Sequence, residues 1–488
     1  MKTICRLLAI LCCVIIACGF TFRVNDDYGT LDWGNGEVQP LIVLQLMEGL
    51  TSSGKDGEPV PALASAWSMK DHARLFLFTL RAGASWSDGV PVCAQHFVDA
   101  WKRVLAPEFA SPYAHYLSPV KSMRVHGCGR LEVRLKYSAA YFPALASHWV
   151  LAPIRLDLLK KFGSAWTKPA NLAVTGPYML EDWVHDKQFI LKRNPRYYGA
   201  AAFEEHLKAV VVGDDATALN LFQAGRLDWL RDVPFLEKKR LAATPEFSVF
   251  PSFVGYHLGF DFIGPGALDR GARCALALSL EKTNIPRILK GGETPSADVV
   301  PPGLGGNVEA PLFDATKARV LWNASPWSKR GPLELSYYTK DIHGVLAQWI
   351  QEEWRKNLGV EVRLVPSEPK TYWARLQRQA PAIFLSGITA TSAHPYSFIS
   401  EFATGSGGNW GHFSSKEYDA LATKISAEDS AGRVNLRRAR QLLLEQECAV
   451  IPLYFRQSAS LLARGWQGLS INPMTYVYLK SVRRTPSK

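Results

Sequence analysis

Histidines and cysteines supply much of the catalytic and metal-binding chemistry of proteins, and this chain has eleven of the first and eight of the second. Their spacing fits neither a zinc site nor a His-Glu-x-x-His helix. The chain also lacks a Gly-x-Ser-x-Gly nucleophile turn, a phosphate-binding loop and a dinucleotide fingerprint. We therefore predict that the protein is not an enzyme and that it holds no cofactor and no metal ion.

The first eighteen residues have the features of an export signal. Lys2 and Arg6 form a positive region, and the apolar stretch that follows is far shorter than the roughly 20 residues that span a bilayer. The segment Ile15-Ile16-Ala17-Cys18-Gly19 then resembles a lipobox, although isoleucine is unusual at its second position. We predict a lipoprotein signal peptide at 1–18, with Cys18 as the lipid anchor to a membrane of the cell envelope. An ordinary signal peptide or an uncleaved anchor is the alternative.

The length of the chain indicates how many lobes to expect, and the distribution of its charges indicates which partners it can bind. A chain of 488 residues is too long for one core, so two or more lobes are expected. Loss of the leader removes two cations and lowers the formal net charge from +12 to +10. No lysine–arginine block is dense enough to predict nucleic-acid binding.

Four cysteines remain after the leader: Cys93, Cys128, Cys274 and Cys448. In an exported protein they can pair in three ways, and the sequence does not choose among them. All four could equally be buried thiols.

Helical and strand patterns alternate along the chain, which is typical of α/β lobes. A strand at 75–80 leads to a turn at Ser87-Asp88-Gly89 and then to an amphipathic helix that ends before Pro107. The expected buried face of this helix consists of Phe97, Ala100, Trp101, Val104 and Leu105. Further on, a helix at 345–358 meets Gly359, where a left-handed cap belongs, and a strand at 360–364 follows.

The run from Trp86 to Leu105 closely resembles a signature of the extracytoplasmic peptide-binding receptors of ABC importers, the OppA/DppA-type family (solute-binding family 5). Further segments resemble the same receptors in the same order: Met47-Glu48-Gly49-Leu50-Thr51, Pro61-Ala62-Leu63-Ala64, Ser111-Pro112-Tyr113-Ala114, Gly176-Pro177-Tyr178, Arg193-Asn194-Pro195-Arg196-Tyr197-Tyr198 and Gln223-Ala224-Gly225-Arg226-Leu227-Asp228. The resemblance covers nearly all of the chain after the leader.

This resemblance implies an α/β fold of the periplasmic-binding-protein type II class, with two discontinuous lobes around a ligand cleft and an extra domain. We expect lobe I at 19–50, 166–255 and 456–488, the extra domain at 51–165, and lobe II at 256–455. It also implies binding of a peptide and its delivery to the permease subunits of an ABC importer, by a monomer. The alternatives are a non-peptide solute such as a sugar, haem or a metal chelate, or a surface interaction protein that has lost transport.

Site residues follow from the resemblance position by position. His343 matches a histidine that contacts the peptide carboxylate in the family, although a surface histidine is the alternative. Thr391 stands where the family carries the aspartate of a Trp-Cys-Ala-Asp-Tyr stretch, which takes the peptide's amino group. Threonine supplies no charge, so we expect N-acetylation of a peptide ligand to weaken binding little. Two family arginines are missing, but Arg375 and Arg378 lie close enough in sequence to replace them.

A flexible glycine-rich stretch precedes two further candidates, in a region where the family lines its cleft. Asn409 is expected to hydrogen-bond the ligand backbone, and Trp410 is expected to stack on the ligand. Tyr113 and Tyr116 are weaker candidates for the cleft.

Overall fold

The structure is a computed structural model that describes residues 19–36, 38–306, 312–339, 342–425 and 430–486. Cys18 and the rest of the predicted leader lie outside the described residues. No helix in these ranges is both long enough and apolar enough to cross a bilayer.

Within the described residues, one sheet of eleven strands runs through both lobes. Five strands belong to lobe I: Phe20–Val24, Tyr178–Val184, Gln188–Arg193, His206–Val211 and Trp229–Arg231. Four belong to lobe II: Thr294–Pro295, Leu333–Tyr338, Val362–Ser367 and Ile383–Thr389. The first strand of lobe I pairs in parallel with its two neighbours, and Leu333–Tyr338 does the same in lobe II.

Two long antiparallel strands connect the lobes, and we call Phe247–Phe260 and Val450–Leu462 the crossover strands. One end of this pair adjoins lobe I through Trp229–Arg231, and the other end adjoins lobe II through Ile383–Thr389. Their mutual register shifts between Pro251 and Gly255. The lobes are therefore joined by a narrow, locally irregular two-stranded segment, the kind of element that acts as a hinge.

The extra domain is a four-stranded antiparallel sheet covered by a helix. Its strands are Ala64–Lys70, Leu75–Leu80, Val120–His126 and Arg130–Leu135. The predicted turn is confirmed: Gly89 has a φ of +91°, and the Asp88 carboxylate accepts the Val90 N–H at 3.2 Å. The helix Ala94–Leu105 buries the predicted face, except that Leu105 is 40% exposed. Leu105 is the last helical residue and extends past the buried face.

Helices cover the sheets of all three parts. Those of lobe I and the extra domain are Pro40–Leu46, Asp215–Gln223, Lys238–Leu241, Ala94–Leu105, Phe142–Leu145 and Leu156–Phe162. Those of lobe II are Arg270–Leu278, Ile285–Leu289, Ala315–Ala324, His343–Leu358, Pro369–Arg378, Tyr396–Ile399, Lys416–Ile425 and Ser430–Gln441. Two small strand pairs complete the fold: Thr51–Ser53 with Pro59–Pro61, and Trp466–Gln467 with Arg483–Arg484. The predicted left-handed cap is confirmed, since Gly359 has a φ of +70°.

The four cysteines of the described residues form two disulfides, one in the extra domain and one in lobe II. Cys93–Cys128 ties the start of a helix to the hairpin of the extra domain, with the Cα atoms 4.5 Å apart. Cys274–Cys448 ties a helix of lobe II to the residues before the second crossover strand, with the Cα atoms 5.3 Å apart. The structure thus selects one of the three possible connectivities and excludes the reading as buried thiols.

Candidate ligand-binding cleft

Two pockets lie where lobe II faces the rest of the molecule. The first, which we call the hinge pocket, has a volume of about 470 Å³ and lies beside the crossover strands, between the two lobes. The second, which we call the distal pocket, has a volume of about 880 Å³ and lies between the extra domain and lobe II. At this second boundary, Tyr141 of the extra domain stacks on Tyr396 of lobe II, with the ring centroids 4.8 Å apart.

Charged side chains line the hinge pocket. Among the described residues, its lining has one more cationic side chain than carboxylates. Its cations are Arg23, Arg231, Lys238 and Arg456, and its carboxylates are Asp215, Asp232 and Glu293. The best-fixed cation is Arg23, which donates to the Val212 and Gly213 carbonyls and pairs with Asp215 at 2.6 Å. The positive excess gives this pocket an electrostatic preference for a carboxylate.

His343 lies in the hinge pocket and is the first residue of the helix His343–Leu358. Only 3% of it is exposed, so the alternative of a surface histidine is wrong. Its ring packs edge-on against Tyr338, with the centroids 4.2 Å apart, and lies 5.4 Å from the ring of Tyr256.

Rings continue from His343 in both directions along lobe II, and we call the resulting set the aromatic row. Consecutive centroids are 4.2 to 6.3 Å apart in the order Tyr454, Tyr256, His343, Tyr338, Trp373, Trp410. Tyr256 lines the hinge pocket, and Trp410 lines the distal pocket. Tyr338 and Trp373 line neither pocket, and Tyr338 and Tyr454 are buried. The row therefore links the two pockets through packed rings, and only its rings at the two pockets offer aromatic contacts to a ligand.

The distal pocket brings together three of the predicted site residues, Tyr116, Thr391 and Trp410. Tyr116 comes from the extra domain, whereas the other two come from lobe II. The Thr391 hydroxyl lies 3.2 Å from the hydroxyl of Ser397. The pocket is thus assembled from segments that are far apart in the sequence.

Glu401 also lines the distal pocket, and the sequence analysis missed it. It lies in the short 3-10 turn Ser400–Phe402, directly after the helix Tyr396–Ile399. Burial raises the pKa of its carboxyl to about 7, and no cation or hydrogen-bond donor among the described residues offsets that burial. Only one weak feature of the sequence pointed to this residue as a site candidate: Glu401 is the acidic residue nearest to Thr391 in the sequence.

Residues 58–410, most of the chain, match the bacterial extracellular solute-binding proteins, family 5 Middle. The chain belongs to this family. It is 30% identical to the probable deoxycholate-binding periplasmic protein YgiS of Escherichia coli, over 95% of this chain and 93% of that protein. It is 29% identical to the periplasmic oligopeptide-binding protein OppA of Escherichia coli, over 87% of this chain and 84% of that protein.

The fold of this family 5 protein is shared with solved structures. A periplasmic oligopeptide-binding protein of Borrelia burgdorferi, OppAIV, superimposes with a TM-score of 0.81 at 23% identity, covering 96% of this chain and 100% of that one. The predicted two-lobed α/β fold is therefore confirmed. The exact limits predicted for the lobes and the extra domain stay a prediction.

Two side chains of the family 5 protein that were predicted to contact the ligand form hydrogen bonds within the protein instead. The Asn409 amide donates to the carbonyls of Ala403 and Phe413 at 3.1 and 2.7 Å and accepts the Phe413 N–H at 3.0 Å. The Tyr113 hydroxyl donates to the Gly36 carbonyl at 2.5 Å. Neither side chain lines the distal pocket. Asn409 fixes the shape of its own loop, and Tyr113 joins the extra domain to lobe I.

The two predicted arginines lie elsewhere on the family 5 protein. Arg375 and Arg378 are exposed on the helix Pro369–Arg378 and line a separate groove of about 790 Å³ on lobe II. Tyr372 and Leu376 of this helix are buried, and they direct the arginines to the opposite side. The structure therefore does not bring these arginines into the hinge pocket or the distal pocket.

Proposed function

We propose that this family 5 protein captures peptides in the cleft between its lobes and delivers them to the permease of an ABC importer. The pair of pockets is the observation that carries the proposal, because one has an excess of positive charge and the other, which is larger, has several aromatic rings in its lining. A peptide can place its carboxylate in the hinge pocket, and a side chain can pack against the rings of the distal pocket. Rotation about the crossover strands would close the lobes on the ligand.

The similarity to oligopeptide-binding proteins supports peptide as the solute. The relative named as a probable deoxycholate-binding protein suggests deoxycholate as the alternative solute, because deoxycholate is also a carboxylate and has a large apolar body. The hinge pocket would accept the carboxylate and the rings of the distal pocket would accept the apolar body, so the two solutes must be compared directly.

Native mass spectrometry of purified residues 19–488, which exclude Cys18, tests the proposal. A ladder of bound masses that sequence as short peptides is the expected result. A single non-peptide mass, or a bare protein whose melting temperature responds to deoxycholate and not to peptide pools, would contradict it.

A matched pair of tryptophan variants tests the aromatic row. Trp410→Leu removes the ring of the row that lines the distal pocket, and we expect peptide affinity to fall about five- to tenfold, since an aromatic contact is worth about 1 kcal/mol beyond its area. Trp327→Leu is the control, because Trp327 is also half-buried in lobe II but lies outside both pockets. Equal losses in the two variants would show that the row has no special role.

We also propose that the protein is a monomer anchored in the cell envelope through a lipid on Cys18. The first strand of lobe I begins at Phe20, so Gly19 alone would separate the anchor from the sheet. Such an anchor would hold lobe I against the bilayer surface. The mass of the N-terminal fragment shows whether the lipid is present, and Cys18→Ala should release the protein from membranes. A Cys18→Ala protein that stays membrane-bound would contradict the anchor.

A further inference from the structure

The groove that holds Arg375 and Arg378 is a concave site outside the cleft, and we call it the lobe II groove. Its volume is about 790 Å³. One wall is the helix Pro369–Arg378, and the facing wall includes Pro265, Gly266 and the loop 380–382. The loops of this facing wall pack closely, since a methyl group at Gly266 would lie 2.9 Å from the Cβ atom of Ala382. Their small side chains leave the space beside the helix open.

The lobe II groove is separated from the cleft by the length of a strand. The strand Ile383–Thr389 begins directly after Ala382, which lines the groove, and ends just before Thr391, which lines the distal pocket. At about 3.3 Å per residue, this strand is roughly 20 Å long. A ligand of the groove would therefore bind independently of a solute in the cleft.

Three cations line the lobe II groove, namely Lys370, Arg375 and Arg378, and all three are exposed. Within the part of the chain that the structure describes, none of them forms an ion pair or a side-chain hydrogen bond. The one carboxylate in the lining, Asp261, is buried and already used by the protein. It accepts the Gly264 N–H at 2.8 Å and lies 3.2 Å from Nδ1 of His412. The groove thus presents positive charge without a countercharge.

The electrostatics of the helix do not account for this arrangement. A helix C-terminus attracts Arg375 and Arg378, but these two like charges are one turn apart and repel each other. Lys370 lies in the first turn, where the helix dipole disfavours a cation. At 1.5 Å per residue, Lys370 and Arg378 are roughly 12 Å apart along the helix axis. An external anion would have to carry charge over this distance to neutralise all three.

We propose that the lobe II groove binds a ligand with two or more neighbouring phosphate groups. Guanidinium groups bind phosphate oxygens in pairs, and a lysine ammonium binds phosphate as a point charge. A single carboxylate would neutralise one of the three cations, whereas adjacent phosphates can neutralise them together. Free condensed phosphates and the headgroups of anionic phospholipids both have this chemistry. The site is independent of the proposed peptide-binding function.

Isothermal titration of residues 19–488 with tripolyphosphate at low ionic strength tests the site. We expect saturable binding, and the double variant Arg375→Gln/Arg378→Gln should weaken it at least about tenfold, as for loss of charge-assisted hydrogen bonds. The control is Arg433→Gln/Arg437→Gln, which removes two positive charges from exposed positions of another lobe II helix. Affinity should change less than about twofold in the control, because screening weakens distant exposed charges.

Lys370→Gln is a second variant at the other end of the groove, and it should also weaken tripolyphosphate binding by about threefold or more. Absence of saturable binding to the wild-type protein, or equal losses in the two double variants, would overturn the proposal. Flotation with vesicles of phosphatidylglycerol distinguishes the two sources of phosphate. Flotation that Arg375→Gln/Arg378→Gln removes would assign lipid headgroups to the groove, and absence of flotation would assign free condensed phosphate.

Discussion

Replacing Glu401 with glutamine is expected to stabilise the ligand-free protein, and to do so at pH 8 but not at pH 5. Burial raises the pKa of this carboxyl from its usual 4.5 to about 7 in the folded protein. At pH values between 4.5 and about 7, the folded protein keeps a proton on Glu401 that the unfolded chain has released. The folded state therefore loses stability as the pH rises through this window. Glutamine stays neutral at every pH and removes this loss.

The pKa values set the size of the effect. Each pKa unit corresponds to about 1.4 kcal/mol, so a rise of about 2.5 units would cost at most about 3 kcal/mol at pH 8. Glu401 is partly open to solvent, which reduces this cost, and we expect a gain of about 1–2 kcal/mol in the variant. With about 2 cal/mol/K per residue of unfolding entropy, a chain of 488 residues would melt about 1–2 °C higher.

Differential scanning calorimetry from pH 5 to pH 8 measures this difference. Glu352→Gln is the control, since hydrogen bonding to Arg355 lowers the pKa of Glu352 and its loss gives no stabilisation at high pH. His115 lies on the rim of the same pocket, and His115→Gln should leave the effect of Glu401→Gln in place. The other titratable groups facing Glu401 are Tyr116, Tyr137, Tyr141, Tyr396, Tyr418 and Asp419. A Glu401→Gln protein that melts lower at pH 8, or whose shift does not depend on pH, would refute the argument.

Two further predictions concern the disulfides and Gly408. Replacing both cysteines of Cys93–Cys128 with serine should lower the free energy of unfolding by about 4 kcal/mol, and the same change at Cys274–Cys448 should lower it by about 5 kcal/mol, because the bridges span 35 and 174 residues. Calorimetry measures these losses. Four free thiols in the oxidised wild-type protein would contradict the pairing. Gly408→Ala should lower the melting temperature at pH 8, because the added methyl group would overlap Oε2 of Glu401 and displace the carboxylate. An unchanged melting temperature would contradict the placement of that carboxylate.

Local sequence signals predicted several elements well. The strand at 75–80, the turn at Gly89 and the cap at Gly359 follow from alternation, turn chemistry and the freedom of glycine at positive φ, all of which depend on near neighbours. The prediction for Leu105 was wrong because periodicity does not show where the packed part of a helix ends.

The candidate cleft was predicted only in part. The resemblance to the family located His343, Thr391 and Trp410 in the pockets. It also suggested Asn409 as a ligand contact, but the carbonyls that surround its amide use its hydrogen-bonding groups. A polar residue type in a cleft-lining segment shows that a contact is possible, whereas the neighbours of that side chain decide whether it is available.

The sequence by itself determined the local elements and, through motifs in a specific order, the family and the two-lobed fold. Tertiary structure alone decided which cysteines pair and which charged side chains line the distal pocket. The pKa of Glu401 has the same origin, since its burial depends on Tyr116 and other rings that distant segments bring over it. Burial and pairing are properties of atoms that meet in space, and only the folded chain brings these atoms together.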